Sequence, residues 1–329
     1  MTTNDTMNEF NSINQPSNVV REGEMTGASE KPVWIRVLFF PLVMLTSLAI
    51  FWASLQYDVP IGLAALGATI VNIIAVAITE LVIPLRPGHS AIHDWQTFNN
   101  IVHGLTASEV GGRAARALID VGLVSLYGSL TAGEVPFVEG LNIQFWPKSA
   151  PFWFQFALGF LVIEFLFYWQ HRMFHSARFF WRFHALHHNA DKMHVMSSAR
   201  LHFFEIFVRH ALIFGPIVLL GAPQEIIFFY LAFNNSLGNV VHSNVDVLVP
   251  RWLHGLMVTP GVHHLHHSRK REQSDSNFGA SITFFDRIFG TFKHPEEESI
   301  AAFGIEDDPF GRSIPSQLLV PLNPWKRYP

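Results

Sequence analysis

The chain is rich in histidine, and most of its histidines fall in one stretch. Of 18 histidines, 14 lie between positions 171 and 267, where nine of them form three short boxes. The boxes are His171 with His175; His184 with His187 and His188; and His263 with His264, His266 and His267. Because imidazole is the commonest metal ligand in proteins, the boxes predict a metal site.

The spacing within the boxes is helical. Residues i, i+3 and i+4 share one face of a helix, so H-x-x-x-H can direct two imidazoles to one point and H-x-x-H-H can direct three. A single tetrahedral ion cannot use so many nitrogens, which indicates two metal ions. His242 directly follows an apolar segment and is expected to add a further ligand.

The alternative for any single histidine is a hydrogen-bonded core residue. Three boxes at the ends of apolar segments would carry a large desolvation cost without a metal. Nine nitrogens fit two five- or six-coordinate ions better than zinc, which favours four ligands. Two irons beside a lipid-facing channel would suit the activation of O₂ against an unactivated C–H bond.

Composition indicates a membrane protein. The chain is 49% hydrophobic and 15% charged, whereas soluble domains carry about 25% charged residues. The net charge of -4 suggests no nucleic-acid partner. The absence of cysteine excludes disulfides, thiolate ligands and iron–sulfur clusters. The polar residues 1–30 show no apolar signal-peptide core and are expected to form a disordered tail.

Six apolar segments are expected in the membrane. Residues 34–55 and 61–78 form a hairpin, 114–130 and 152–169 are the third and fourth spans, and 206–220 and 225–241 form a full or re-entrant hairpin. Arginine and lysine surround the boxes, so the positive-inside rule places the histidines in the cytoplasm. The predicted fold is an all-α membrane protein: a four-helix transmembrane stem plus a hairpin, with a cytoplasmic helical cap holding the metal site.

The expected organisation has four parts. They are the disordered tail at 1–30, a transmembrane hairpin and third span at 31–150, a catalytic domain at 151–295 and a polar C-terminal tail at 296–329.

The boxes and their flanks resemble the fatty acid hydroxylase/sterol desaturase superfamily, which comprises integral-membrane di-iron oxygenases. The resemblance covers roughly residues 160–292. It rests on Trp169-Gln-His171-Arg-Met-Phe-His175, Phe183-His184-Ala-Leu-His187-His188, Thr259-Pro260 leading into His263-His-Leu-His266-His267-Ser268, Asn277-Phe-Gly279 and Phe285-Asp286-Arg287-Ile-Phe-Gly290-Thr-Phe292. It implies iron, O₂ and an external electron donor.

Carried over position by position, the resemblance implies a set of nine iron ligands. They are His171, His175, His184, His187, His188, His242, His263, His266 and His267. His264 is an additional histidine in the third box and is expected to line the pocket or support a ligand. We expect hydrogen-bonding residues outside the ligand set to orient the ligands. The candidates are His202, Asp286 and Glu164, with Asp246 as a further candidate.

The expected reaction is hydroxylation of a C–H bond in a membrane lipid, either the fatty acyl chain of a polar lipid or a sterol-like lipid. Two electrons would come from a separate donor, a ferredoxin or a cytochrome b5-type protein with its reductase. Desaturation at the same site is the main alternative. A zinc-dependent membrane hydrolase is disfavoured because the chain has no H-E-x-x-H motif.

Overall fold

The chain is mainly helical in the part described by our computed structural model, residues 31–57, 59–121 and 146–323. The principal helices are α1 (Val33–Gln56), α2 (Ile61–Val82), α3 (Gln96–Thr106), α4 (113–121), α5 (Phe152–Ser176), α6 (Arg178–His188), α7 (Phe203–Leu219), α8 (Gln224–His242), α9 (Arg251–His254), α10 (Pro260–His266), α11 (Arg271–Ser274), α12 (Phe284–Ile288) and α13 (Ile314–Leu319). These residues form isolated backbone bridges but no β-strand. The predicted all-α fold class is confirmed for them.

Three of these helices, α1, α2 and α5, are long and apolar enough to cross a membrane. They correspond to the first, second and fourth predicted spans, and they make the chain a membrane protein. Of the predicted third span, 114–130, the part up to residue 121 is described and is helical. Residues 122–130, like the predicted tail at 1–30, lie outside the described residues.

The two apolar segments that follow the second box form the helices α7 and α8. Neither is among the described helices that are long and apolar enough to cross a membrane, so the predicted full or re-entrant hairpin stays a prediction. Gly221 turns the chain between them with a positive φ of 80°, a conformation that favours glycine. Helix α8 packs on α1 and α2 through an apolar cluster that includes Val43, Val76, Leu237 and Val240. This packing places the end of α8, and therefore His242, next to the membrane helices.

Buried carboxylates inside two apolar helices hold loops in place. Glu80 on α2 accepts hydrogen bonds from the backbone N–H groups of Val195, at 2.7 Å, and Asn244, at 2.9 Å. Glu164 on α5 accepts one from the backbone N–H of Ser281 at 3.0 Å. Because a buried carboxylate is costly without hydrogen bonds, these contacts fix the three loops against the membrane helices.

The segment between α3 and α4 crosses the start of α7 at short range. It is a π-helix, Ala107–Gly112, and such helices are rare outside functional or strained positions. A Cβ atom at Gly111 would lie 2.1 Å from the carbonyl oxygen of Phe203. Any side chain at this position would therefore separate the two segments.

We expect Gly111→Ala to lower the midpoint of thermal unfolding in detergent, because overpacking costs about 1–3 kcal/mol. The matched control is Gly67→Ala on α2, where an added Cβ meets nothing within 4 Å. That control should be neutral or stabilising, since alanine favours a helix over glycine. Equal midpoints for the two variants would contradict the close crossing.

Candidate metal centre

The three boxes and His242 meet at the ends of four helices. Helix α5 supplies His171 and His175, α6 supplies His184, His187 and His188, α8 ends at His242, and α10 supplies His263 and His266 with His267 directly after it. All nine side chains are buried. Their ring nitrogens form a group of five (His171, His175, His184, His188, His266) and a group of four (His187, His242, His263, His267). Within each group, one nitrogen from each ring lies within 4.8 Å of the corresponding nitrogens of the other rings.

Backbone carbonyls fix the tautomer of two rings in the group of five. His171 Nδ1 donates to the Phe278 carbonyl at 2.9 Å, and His266 Nδ1 donates to the Ser276 carbonyl at 2.7 Å. A carbonyl oxygen can only accept, so each Nδ1 carries the proton. In the neutral ring, each Nε2 is then left with a bare lone pair.

These lone pairs point at one another. His171 Nε2 lies 3.1 Å from His266 Nε2 and 3.0 Å from His184 Nε2. No proton is available to bridge His171 and His266, so the two atoms repel unless a cation lies between them. The Nε2 atoms of His175 and His188 are also buried, and the described residues offer them no hydrogen-bonding partner. This donor set fits a metal cation at the centre of the group.

Burial favours the neutral form of several of these rings. It lowers the pKa of His266 to about 3. Burial also lowers the pKa of His187, His188, His263 and His267 well below the ordinary value for histidine. Repulsion from any protonated neighbouring imidazole lowers it further. Neutral imidazole is the form that binds a metal ion, so these rings are ready to act as ligands.

The group of four follows the same pattern around His242. Its Nδ1 donates to the Gly238 carbonyl at 2.7 Å. Its Nε2 lone pair therefore faces His187 Nε2 at 3.2 Å and His263 Nε2 at 3.0 Å. His267 Nε2 completes the group at 3.1 Å from His263 Nε2. The two groups adjoin, because the ring of His188 stacks on that of His267 with centroids 4.5 Å apart.

Local signals shape the third box. Thr259 caps α10 by accepting the Val262 N–H, and Pro260 occupies the first turn. The loop after α11 then folds back over the box, with Asn277 at a positive φ of 56°. Asparagine tolerates this conformation, and its side-chain amide donates to the Val262 and Lys293 carbonyls. The loop thereby presents acceptors to three histidines.

Two carboxylates that the sequence analysis did not single out contact the group of five. Glu205 Oε1 lies 3.0 Å from His184 Nδ1, and Asp275 Oδ1 lies 3.0 Å from His175 Nδ1. Glu205 is fully buried and also binds Arg209. Although burial opposes it, the interactions with His184 and Arg209 hold the pKa of Glu205 below its usual range. A buried carboxylate behind a ligand fixes its tautomer and raises its basicity.

The predicted supporting residues act mainly through the backbone. His202 caps α7 by accepting the Phe204 N–H, and so holds the helical turn that carries Glu205. Asp286 accepts hydrogen bonds from the N–H groups of Phe278, at 2.7 Å, and Gly279, at 2.8 Å. It therefore positions the carbonyl that orients His171.

The other three predicted residues lie further from the two groups. His264 is buried, and its Nδ1 lies 3.1 Å from Arg86 Nη1, outside both groups. Glu164 ties α5 to the Ser281 loop, as described above. Asp246 forms an ion pair with Arg36 at 2.9 Å.

Comparison with known proteins finds related sequences. The model of the fatty acid hydroxylase family, described as "Fatty acid hydroxylase", matches residues 156–291. The ornithine lipid hydroxylase OlsE of Rhizobium tropici is 30% identical over 270 residues, which are 82% of this chain and 78% of that protein. No solved structure matches the chain significantly.

More distant relatives match a shorter region. Human alkylglycerol monooxygenase is 29% identical over 156 residues, 47% of this chain and 34% of that protein. The very-long-chain aldehyde decarbonylase GL1-5 of Oryza sativa subsp. indica is 33% identical over 141 residues, 39% of this chain and 22% of that protein. The chain belongs to the fatty acid hydroxylase family. It is an oxygen-dependent oxidoreductase with a buried histidine metal site.

We expect His263→Gln to lose much of its bound metal, because this ring contributes to the group of four. His264→Gln is the matched control, since it makes the same change at the next residue of α10, outside both groups. Elemental analysis of the two purified variants measures the difference. Equal metal contents would refute the ligand assignment of the third box.

Glu205→Gln should lower the affinity for metal about 10- to 100-fold, because it keeps the shape of the side chain but removes the charge behind His184. Competition with a chelator measures the affinity. Glu225→Gln, at an exposed position in the first turn of α8, is the control and should bind metal normally. If Glu205→Gln matched that control, the carboxylate would have no role at the centre.

Proposed function

We propose that the chain is a membrane-bound di-iron oxygenase that hydroxylates an unactivated C–H bond of a lipid. The observation that carries the proposal is the convergence of neutral imidazole lone pairs in two adjoining groups beside membrane-spanning helices. Five and four nitrogens suit two ions that keep positions open for O₂. The resemblance of the chain to lipid hydroxylases and monooxygenases supports the substrate class.

The overall reaction balances with a two-electron donor. One atom of O₂ enters the C–H bond, and the other leaves as water after taking up two electrons and two protons. The chain has no cysteines for an iron–sulfur cluster and no Rossmann fingerprint, so we assign the electrons to a separate carrier. A ferredoxin or a cytochrome b5-type protein with its reductase fits this role.

Bound iron would supply the activation of O₂, and the chain would supply its environment. The nine proposed ligands are neutral, so the two ions would keep most of their positive charge. Glu205 and Asp275 would compensate part of that charge from behind His184 and His175. Burial of all nine rings excludes bulk water, which protects reactive oxygen from side reactions.

We also propose that the histidine groups face the cytoplasm, at the end of a stem of four spans. The support is the excess of basic residues around the boxes. One of them, Arg200, is buried and donates to the Leu186 carbonyl at 2.9 Å, so it does not count as a loop charge. The exposed residues Arg178, Arg269 and Lys270 keep the excess on this side.

Lipid analysis of cells that express the chain under air and without oxygen tests the function. We expect a membrane lipid to gain one oxygen atom in air alone, and heavy-isotope O₂ to label it. Loss of two hydrogen atoms would identify a desaturase instead. His187→Ala is the inactive control, and an oxygen-dependent product that persists in this variant would contradict the proposed site.

A further inference from the structure

A cavity of about 790 Å³ lies among α4, α7 and α8, away from the nine histidines. Its walls are of two kinds. Helix α4 contributes the charged side chains Arg116 and Asp120, whereas α7 and α8 contribute mostly apolar side chains, such as Phe214 and Leu231, together with His210 and Gln224. Such a mixture of charged and apolar walls fits an amphiphile rather than a purely polar or purely apolar ligand.

One face of α8 leads from this cavity to the group of four. Ile227 and Leu231 line the cavity, and Asn235, Gly238 and His242 follow on the same face at helical spacing. At 1.5 Å per residue, Leu231 and His242 are about 16 Å apart along the helix. Asn235 is exposed between Leu231 and Gly238, so it adds a polar side chain to this face.

Open space adjoins this face one turn before the group of four. A Cβ atom at Gly238 would meet nothing within 4 Å. The Gly238 carbonyl accepts the Nδ1 proton of His242, so the gap lies beside a proposed ligand. The glycine therefore leaves room for a ligand segment at the point where it would reach the group of four.

The charges at the cavity favour a zwitterionic ligand. Arg113 already pairs with Glu109. Arg116 and Asp120, four residues apart on α4, form no ion pair with each other or with another described residue. An acidic group can pair with the guanidinium of Arg116 while an ammonium group pairs with the carboxylate of Asp120.

We propose that the cavity and the face of α8 form one groove for a zwitterionic membrane lipid. Arg116 binds the acidic part of the head group, Asp120 binds its ammonium, and an alkyl segment runs past Gly238 to His242. This inference rests on the proposed lipid oxygenase function, for which it specifies the substrate class and the path to the centre.

The absence of native cysteines allows a direct test in the full-length, metal-loaded protein. Gly238→Cys introduces a single thiol in the groove, and Gly67→Cys introduces one at a control position on α2 with equally open space. We would measure the rate of modification by a methanethiosulfonate reagent as dioleoyl phosphatidylethanolamine is added. We expect the lipid to slow modification at Gly238→Cys several-fold and to leave Gly67→Cys unchanged.

Charge variants identify the head-group contacts. In the Gly238→Cys background, Arg116→Glu should require about tenfold more phosphatidylethanolamine for the same protection, as one lost charge-assisted contact predicts. Asp120→Asn should weaken protection by phosphatidylethanolamine but not by phosphatidic acid, which lacks the ammonium. Lys270→Gln, an exposed cation outside the groove, is the control. Dioleoylglycerol, which lacks both charges, should protect poorly.

If the lipid protected both thiols equally, or did not protect Gly238→Cys, the proposed groove would be contradicted. Protection that is unaffected by Arg116→Glu would overturn the head-group assignment. Gly238→Leu adds a second measurement without labelling: by filling the gap, it should reduce phosphatidylethanolamine binding measured by native mass spectrometry, whereas Gly67→Leu should not. None of these measurements needs O₂ or electrons, so their failure is distinguishable from failure of the proposed oxygenase.

Discussion

Convergence of imidazole lone pairs is the constraint on which the rest of the structure depends. Buried imidazoles can face one another in this site if the nitrogens that meet carry no proton, which several rings achieve by donating their Nδ1 proton to an acceptor outside the group. The pair His171 and His266 shows the requirement most clearly, because both Nδ1 protons go to carbonyls and both Nε2 atoms meet 3.1 Å apart. A cation turns this repulsion into coordination.

The framework around the boxes supplies acceptors of this kind to the group of five. The loop at 275–279 turns back over α10 and supplies one carboxylate and two carbonyls to three histidines. The Asp286 carboxylate holds this loop by accepting hydrogen bonds from the loop's N–H groups. The His202 side chain caps α7 and holds the turn that carries Glu205. Each predicted outer residue with a role here therefore acts by fixing backbone, while the direct contacts come from residues with no sequence signal.

The sequence could predict that the histidines of one box share a face of a helix, because their spacing is a local property of that helix. The division into groups of five and four depends on how helices pack, which spacing alone does not determine. His187 and His188 are neighbours in sequence, but successive residues differ by about 100° around a helix, so they enter different groups. Glu205 was missed for the same reason, since it reaches His184 only through the packing of α7 on α6.

The two groups differ in the hydrogen-bond acceptors that contact their Nδ1 atoms. The group of five has carboxylates beside His184 and His175, which would compensate part of the charge of a cation bound there. The group of four has a carbonyl behind His242, and the described residues offer the Nδ1 atoms of His187 and His267 no partner. The open space at Gly238 also lies on this side. The two groups are thus asymmetric, with carboxylates beside the group of five and open space beside the group of four.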